Sequence, residues 1–229
     1  MKKLGIAILT LILVLGVSGC TKDKKEEVSQ SALDFKAEYE ALNGKTNASG
    51  KEHRTVSIPE NNPYEKITPA ELIKKIENKE TFYVYFGDPL CPWCRSVIEK
   101  SIEVANSKNI DKIYYIKIWD DEGNEVFRSK YTLNKKNKPE LVTPGTDEYY
   151  TITRTFANVL SDYTLTTDED KKVNVGEKRI YAPSYIYVKD GKAIKLTEGI
   201  SKLQTDSREE LTKEMLNDET KQFEDFFTN

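Results

Sequence analysis

Cys91-Pro92-Trp93-Cys94 sets two thiols three residues apart, a spacing at which side chains share one face of a helix. Such a pair can close a small disulfide or open it without large backbone movement. Four chemistries use it. A purely structural clasp gains little, because so short a loop barely constrains the unfolded chain. A zinc site asks for four ligands, usually two such pairs or a pair with histidines, and this chain has no second pair. Its single histidine, His53, falls in a polar stretch that reads as a solvated linker. A two-coordinate copper(I) site stays open, since thiolates suit that soft ion. A reversible redox dithiol is the reading that asks for the least beyond the two residues themselves, with no metal and no organic cofactor.

The flanking residues decide how the thiols are held. Phe82-Tyr83-Val84-Tyr85-Phe86 is a run of strand formers, apolar on both faces, as a central covered strand is. Gly87, Asp88 and Pro89 break it. A helix is predicted from Pro92 to about Ser107, with Val97, Ile98, Ile102 and Ala105 inward. Cys91 then sits where the first helical N–H groups lack partners and where the helix dipole favours a thiolate. Pro92 suits the first helical position, and Arg95 is expected to add positive charge nearby. Asp88 is read as a turn residue whose charge would raise the Cys91 pKa if it came close. Cys91 is thus the expected attacking thiolate and Cys94 the resolving thiol.

Further elements surround this unit. Thr68-Pro69-Ala70-Glu71 is a helix start with a capping box, and Asn78 is its predicted stop. Lys112–Trp119 reads as a second buried strand. A helix with Tyr149, Ile152, Phe156, Val159 and Leu160 on one face starts near Thr146, and Thr166–Gly176 reads as an exposed loop. Ala182–Val188 is a third strand, Asp190-Gly191 a tight hairpin turn, and Ala193–Leu196 an edge strand. Ser207 and Glu210 are expected to cap a C-terminal helix that buries Leu211, Met215, Leu216, Phe223 and Phe226. Strands alternating with helices and ending in a hairpin predict an α/β domain with a mixed central sheet flanked by helices.

The N-terminus sets the compartment. Lys2 and Lys3 precede an apolar run, Leu4–Val17, too short to span a bilayer as a helix. This is a secretory-signal pattern. Val17-Ser18-Gly19-Cys20 resembles a bacterial lipobox, which implies cleavage before Cys20 and a lipid on that residue. An uncleaved N-terminal anchor is the alternative, and both put the body outside the cytoplasm. Of three cysteines, lipidation of Cys20 leaves one pair, in a space that permits disulfides. A formal charge of −3 argues against nucleic-acid binding. The expected division is a signal over 1–19, a flexible tether over 20–60 with a short helix over Ser31–Leu42 that sets Phe35, Tyr39 and Leu42 on one face, and one domain over 61–229.

Tyr83–Phe86 leading into Cys91-Pro92-Trp93-Cys94, together with Ala182-Pro183 before a strand and hairpin, resembles the thioredoxin superfamily. The YFGDPLCPWCR segment is similar to that of extracytoplasmic thioredoxin-like proteins known as bacteriocin transport accessory proteins. The resemblance covers about residues 64–227. It implies a thioredoxin-like fold with an insertion over about 120–178, before the strand that a cis Pro183 opens. It further implies a substrate groove in which Ala182 pairs with an extended peptide and Trp93 lies exposed between the cysteines. One departure stands out. The strand position six residues before the first cysteine, a buried aspartate in thioredoxins that assists proton transfer, is Tyr85 here.

The resulting expectation is a lipid-anchored thiol–disulfide oxidoreductase on the extracytoplasmic face of a bacterial membrane. Its partners would be cysteine-containing exported proteins or peptides and a membrane redox partner that regenerates the Cys91–Cys94 couple. No dimerisation module is visible, so a monomer is expected. Two alternatives accompany it: a non-catalytic accessory or copper(I)-binding lipoprotein, and a bacteriocin secretion accessory protein. Oxidant, reductant and isomerase share this dithiol, and the direction of electron flow stays open.

Overall fold

A computed structural model describes residues 28–228. The signal over 1–19, Cys20 and the first tether residues lie outside the described residues. The elements in chain order are α1 (Gln30–Glu40), β1 (Tyr64–Lys66), α2 (Pro69–Glu77), β2 (Phe82–Gly87), α3 (Pro92–Ser107), β3 (Ile113–Lys117), β4 (Lys130–Leu133), β5 (Pro139–Thr143), α4 (Asp147–Thr155), β6 (Ser161–Thr166), β7 (Lys172–Arg179), β8 (Ser184–Lys189), β9 (Lys192–Thr197) and α5 (Lys213–Phe227). They form an α/β architecture around a mixed five-stranded sheet of order β1-β3-β2-β8-β9. The strands β1, β3 and β2 run parallel, and β8 and β9 are antiparallel additions.

The alternation along β2 explains the layering. Tyr83 and Tyr85 point into a core built with α1, α3 and α5. Phe82, Val84 and Phe86 point into a second core with Leu72 of α2 and Tyr149 and Ile152 of α4. Period-2 geometry sends successive side chains to opposite faces, so a run apolar at every position needs cover on both sides. Tyr115, Tyr85 and Tyr185 face one another across β3, β2 and β8 and stack, with centroids 5.6 and 4.5 Å apart. Thr68 caps α2 with the predicted capping box. Asp190 and Gly191 both have positive φ, as the predicted turn requires. Among the described residues no helix is long and apolar enough to cross a membrane.

Four expectations are corrected. The segment 28–60, read as flexible tether, is folded onto the domain. Phe35 and Tyr39, one turn apart on α1, are buried with Val56 and Ile58 in the first core, so the folded body includes the described segment from Ser29, the α1 N-cap, and does not start at 61. His53 is buried, not solvated. The stretch Thr166–Gly176 is no open loop but the turn and return strand of a β6–β7 hairpin. Asp170 takes positive φ there, and the Thr167 hydroxyl accepts the N–H groups of Glu169 and Lys171. The C-terminal helix is capped by Thr212 instead of Ser207. The preceding residues turn on themselves, with the Glu209 carboxylate accepting the Asp206 N–H at 2.8 Å.

Candidate active site

The end of β2 and the start of α3 bring the predicted pair together. Asp88 organises the turn between them. Its carboxylate accepts the N–H of Leu90 at 2.9 Å and of Trp119 at 3.2 Å, and its carbonyl accepts the N–H of Cys91 at 3.1 Å. One buried side chain thus ties β2 to the end of β3 and to the cysteine loop. Burial raises the Asp88 pKa to about 6. Asp88 is therefore the expected turn residue, and its charge also reaches Cys91, where it opposes the thiolate.

Cys91 is the N-cap of α3. Its sulfur accepts the Cys94 N–H at 3.4 Å, and the two residues approach within 3.2 Å. Both are free thiols. The side-chain hydrogen bond from Cys94 is the largest influence on Cys91 and lowers its pKa. Burial works against this, and the backbone N–H groups of Cys94 and Trp93 assist it. Cys94 is shifted the other way, well above its ordinary value, first by burial and then by Cys91. Cys91 retains 4 % exposure and Cys94 none. The pair is thus divided into an ionisable outer thiol and a sealed inner one.

The inner thiol has partners that spacing alone did not reveal. The Tyr85 hydroxyl hydrogen-bonds Cys94 and favours its thiolate, and it also shares a 2.7 Å hydrogen bond with the Tyr39 hydroxyl. The N-terminal helix α1 therefore contributes directly to the surroundings of the dithiol. Gly87 makes this possible. A Cβ there would lie 2.0 Å from the Tyr85 hydroxyl oxygen, so only a residue without one lets the phenol lean along β2. A glycine two residues after a strand tyrosine was the available signal, read only as a strand breaker.

Ala182-Pro183 is a cis peptide. Ser184 opens β8 opposite Phe86 of β2, and this register carries Ala182 to the cysteine loop. The Cys91 thiol donates to the Ala182 carbonyl at 3.6 Å. Pro92 occupies the first turn of α3 as expected. Trp93 is half-buried and packs on the first core, a correction to its expected exposure between the cysteines. Arg95 is also corrected. It turns away from the thiols into full burial, donating to the carbonyls of Arg54 at 2.7 Å and Tyr39 at 2.8 Å and to Asn43 Oδ1 at 2.8 Å. It clamps the N-terminal segment. Burial, then the charges of Arg95 and Arg208, lower the His53 pKa and keep that ring neutral near pH 7.

Among the described residues no group of three or more His, Cys, Asp or Glu side chains is placed to hold a metal ion. No protein-family model and no curated protein matches the chain.

Proposed function

We propose that this chain is a thioredoxin-like thiol–disulfide oxidoreductase of the extracytoplasmic membrane face, lipid-anchored through Cys20, with residues 120–178 an insertion in that fold. The observation that carries the reading is the asymmetry of the pair. A helix-capping Cys91 lies beside the Ala182 carbonyl and the cis Pro183, while Cys94 is sealed behind it. A structural clasp gives no reason for one thiol to be activated and the other suppressed. The anchor and compartment rest on the first twenty residues.

In the reducing direction the Cys91 thiolate attacks a substrate sulfur. A Cys91–substrate disulfide forms, the substrate S–S bond breaks, and one substrate thiolate leaves. The departed substrate thiolate takes the Cys94 proton, and the resulting Cys94 thiolate, hydrogen-bonded by the Tyr85 hydroxyl, then attacks the Cys91 sulfur. The Cys91–Cys94 disulfide forms and the second substrate thiolate leaves, so two electrons pass from dithiol to substrate. The oxidising direction is the reverse. Substrates are cysteine-containing exported proteins or peptides, and a membrane redox partner restores the starting state. Cys91→Ser is expected to abolish exchange, and Cys94→Ser to accumulate mixed disulfides at Cys91. Undiminished exchange by Cys91→Ser would overturn the assignment.

A further inference from the structure

A cavity of about 600 Å³ opens in the segment after β3, walled by Trp119, Tyr131 and Tyr163 and carrying Arg128, Lys130 and Arg179 against one carboxylate, Glu125. The chain as a whole has a formal charge of −3, so this concentration of positive charge runs against its background. Glu177, which accepts from the Tyr131 hydroxyl at 2.6 Å, offsets part of it without cancelling it.

The cations are held in place. Arg128 donates to Glu125 through Nε at 2.9 Å and to the Ile180 carbonyl through Nη1 at 3.1 Å. Arg179 lies over the Tyr163 ring at 4.1 Å and donates to the Ser129 carbonyl at 2.6 Å. Burial, and next the like charge of Arg128, lower the Arg179 pKa, and the Glu125 carboxylate lies between the two guanidiniums, 2.5 Å from Arg128 Nη2 and 3.6 Å from Arg179 Nη2. Lys130 is exposed on β4, and its side-chain ammonium makes no hydrogen bond or ion pair among the described residues. Two fixed guanidiniums and a free ammonium around an aromatic-walled cavity suit an incoming carboxylate.

Two bonded routes lead from the cavity lining to the cysteine loop. Trp119 donates its backbone N–H to Asp88, whose carbonyl accepts the Cys91 N–H. On the other side, Ile180, bonded to Arg128, lies two residues before Ala182, whose carbonyl meets the Cys91 thiol. Two extended residues span about 7 Å. A peptide joined to Cys91 and lying along Ala182 would therefore bring a residue about two to four positions from its cysteine over the cavity.

We propose that this cavity is a specificity subsite that takes an acidic side chain of the peptide whose cysteine reacts at Cys91. The proposal rests on the oxidoreductase reading for its purpose, but its binding chemistry can be tested separately. The probes are nine-residue peptides with a central cysteine and either glutamate or glutamine three positions before or after it. A parallel set has serine in place of cysteine. Binding of the serine set to the full chain is expected to favour glutamate in one of the two placements by about tenfold, as a charge-assisted contact implies, with the preference shrinking at high salt. In Lys130→Glu the ratio should fall below about twofold. Equal binding of glutamate and glutamine peptides in both placements, or a preference untouched by Lys130→Glu, would overturn the proposal. The cysteine set separates the two readings. If glutamine peptides exchange and glutamate gains nothing in binding or rate, the subsite is wrong and the redox reading stands. If no cysteine peptide exchanges while glutamate still binds tighter, the redox reading fails and the subsite stands.

Discussion

Cys91 and Cys94 are chemically unequal because a helix N-terminus meets one sulfur and a sealed core the other. Alkylation of the reduced protein across pH tests this directly. Cys91 should react with a midpoint below the free-cysteine value of about 8.5, and Cys94 should stay unreactive until much more alkaline pH. Equal reactivity of the two would remove the asymmetry on which the mechanism depends. Tyr85 is a positioning residue for the second step. Tyr85→Phe removes one hydrogen bond to a developing charge, worth about 1.5–3 kcal/mol, so resolution of the mixed disulfide should slow by about tenfold or more while Cys91 alkylation is unchanged. A merely structural role would not separate these two rates. Gly87→Ala should reproduce the slow resolution by displacing the phenol, with a loss of about 1–3 kcal/mol in stability from overpacking.

The elements around the pair were legible in proportion to how far local sequence alone determines them. Phe82–Phe86, apolar at every position, could only be a strand covered on both faces, and Thr68 with Glu71 carries its cap in its own spacing. Asp190-Gly191 names its turn by conformation. In the segment 28–60 the helix with Phe35 and Tyr39 on one face is legible and forms as α1, but the charged composition around it hides that the segment docks on the domain. The information lay in four large apolar residues, Phe35, Tyr39, Val56 and Ile58, whose destination is a core made mostly by later helices and strands. The β6–β7 hairpin was hidden for a similar reason: its strands place few side chains in the core and are exposed along much of their length. In the site, the cysteines were readable from type and spacing, and Ala182 and Pro183 only from the family resemblance. Tyr39 and the inward turn of Arg95 were not, since both depend on contacts far along the chain. The N-terminal segment is consequently expected to be indispensable. A chain starting at 61 loses four large buried apolar side chains, Phe35, Tyr39, Val56 and Ile58, worth about 1.5–3 kcal/mol each, comparable to the entire stability of a typical domain. Its thermal melt should lack a cooperative transition, whereas a chain starting at 28 should melt sharply. A cooperative melt from the shorter chain would show α1 to be dispensable.

The molecule as a whole joins a two-sided sheet, a clamped N-terminal segment and one unpaired buried acid. Glu219 of α5 is fully buried with both carboxylate oxygens unpartnered, and burial raises its pKa from 4.5 to about 8. An acid whose folded pKa is raised contributes stability below its unfolded pKa. That contribution is lost as the pH rises from about 4.5 towards 8. Glu219→Gln should therefore melt close to the parent at pH 4 and clearly above it at pH 8.5. Matching melts at both pH values would refute the buried, protonated acid. This sensitivity belongs to the fold, whereas the central claim concerns the dithiol as a working couple. Its most direct test is the reduction potential of the Cys91–Cys94 pair, measured on protein beginning at residue 21 and equilibrated against glutathione and dithiothreitol buffers. The account predicts one reversible two-electron transition between about −120 and −270 mV, the span of disulfide-exchanging enzymes. A potential below about −300 mV, where structural disulfides lie, or no reversible transition at all, would contradict it.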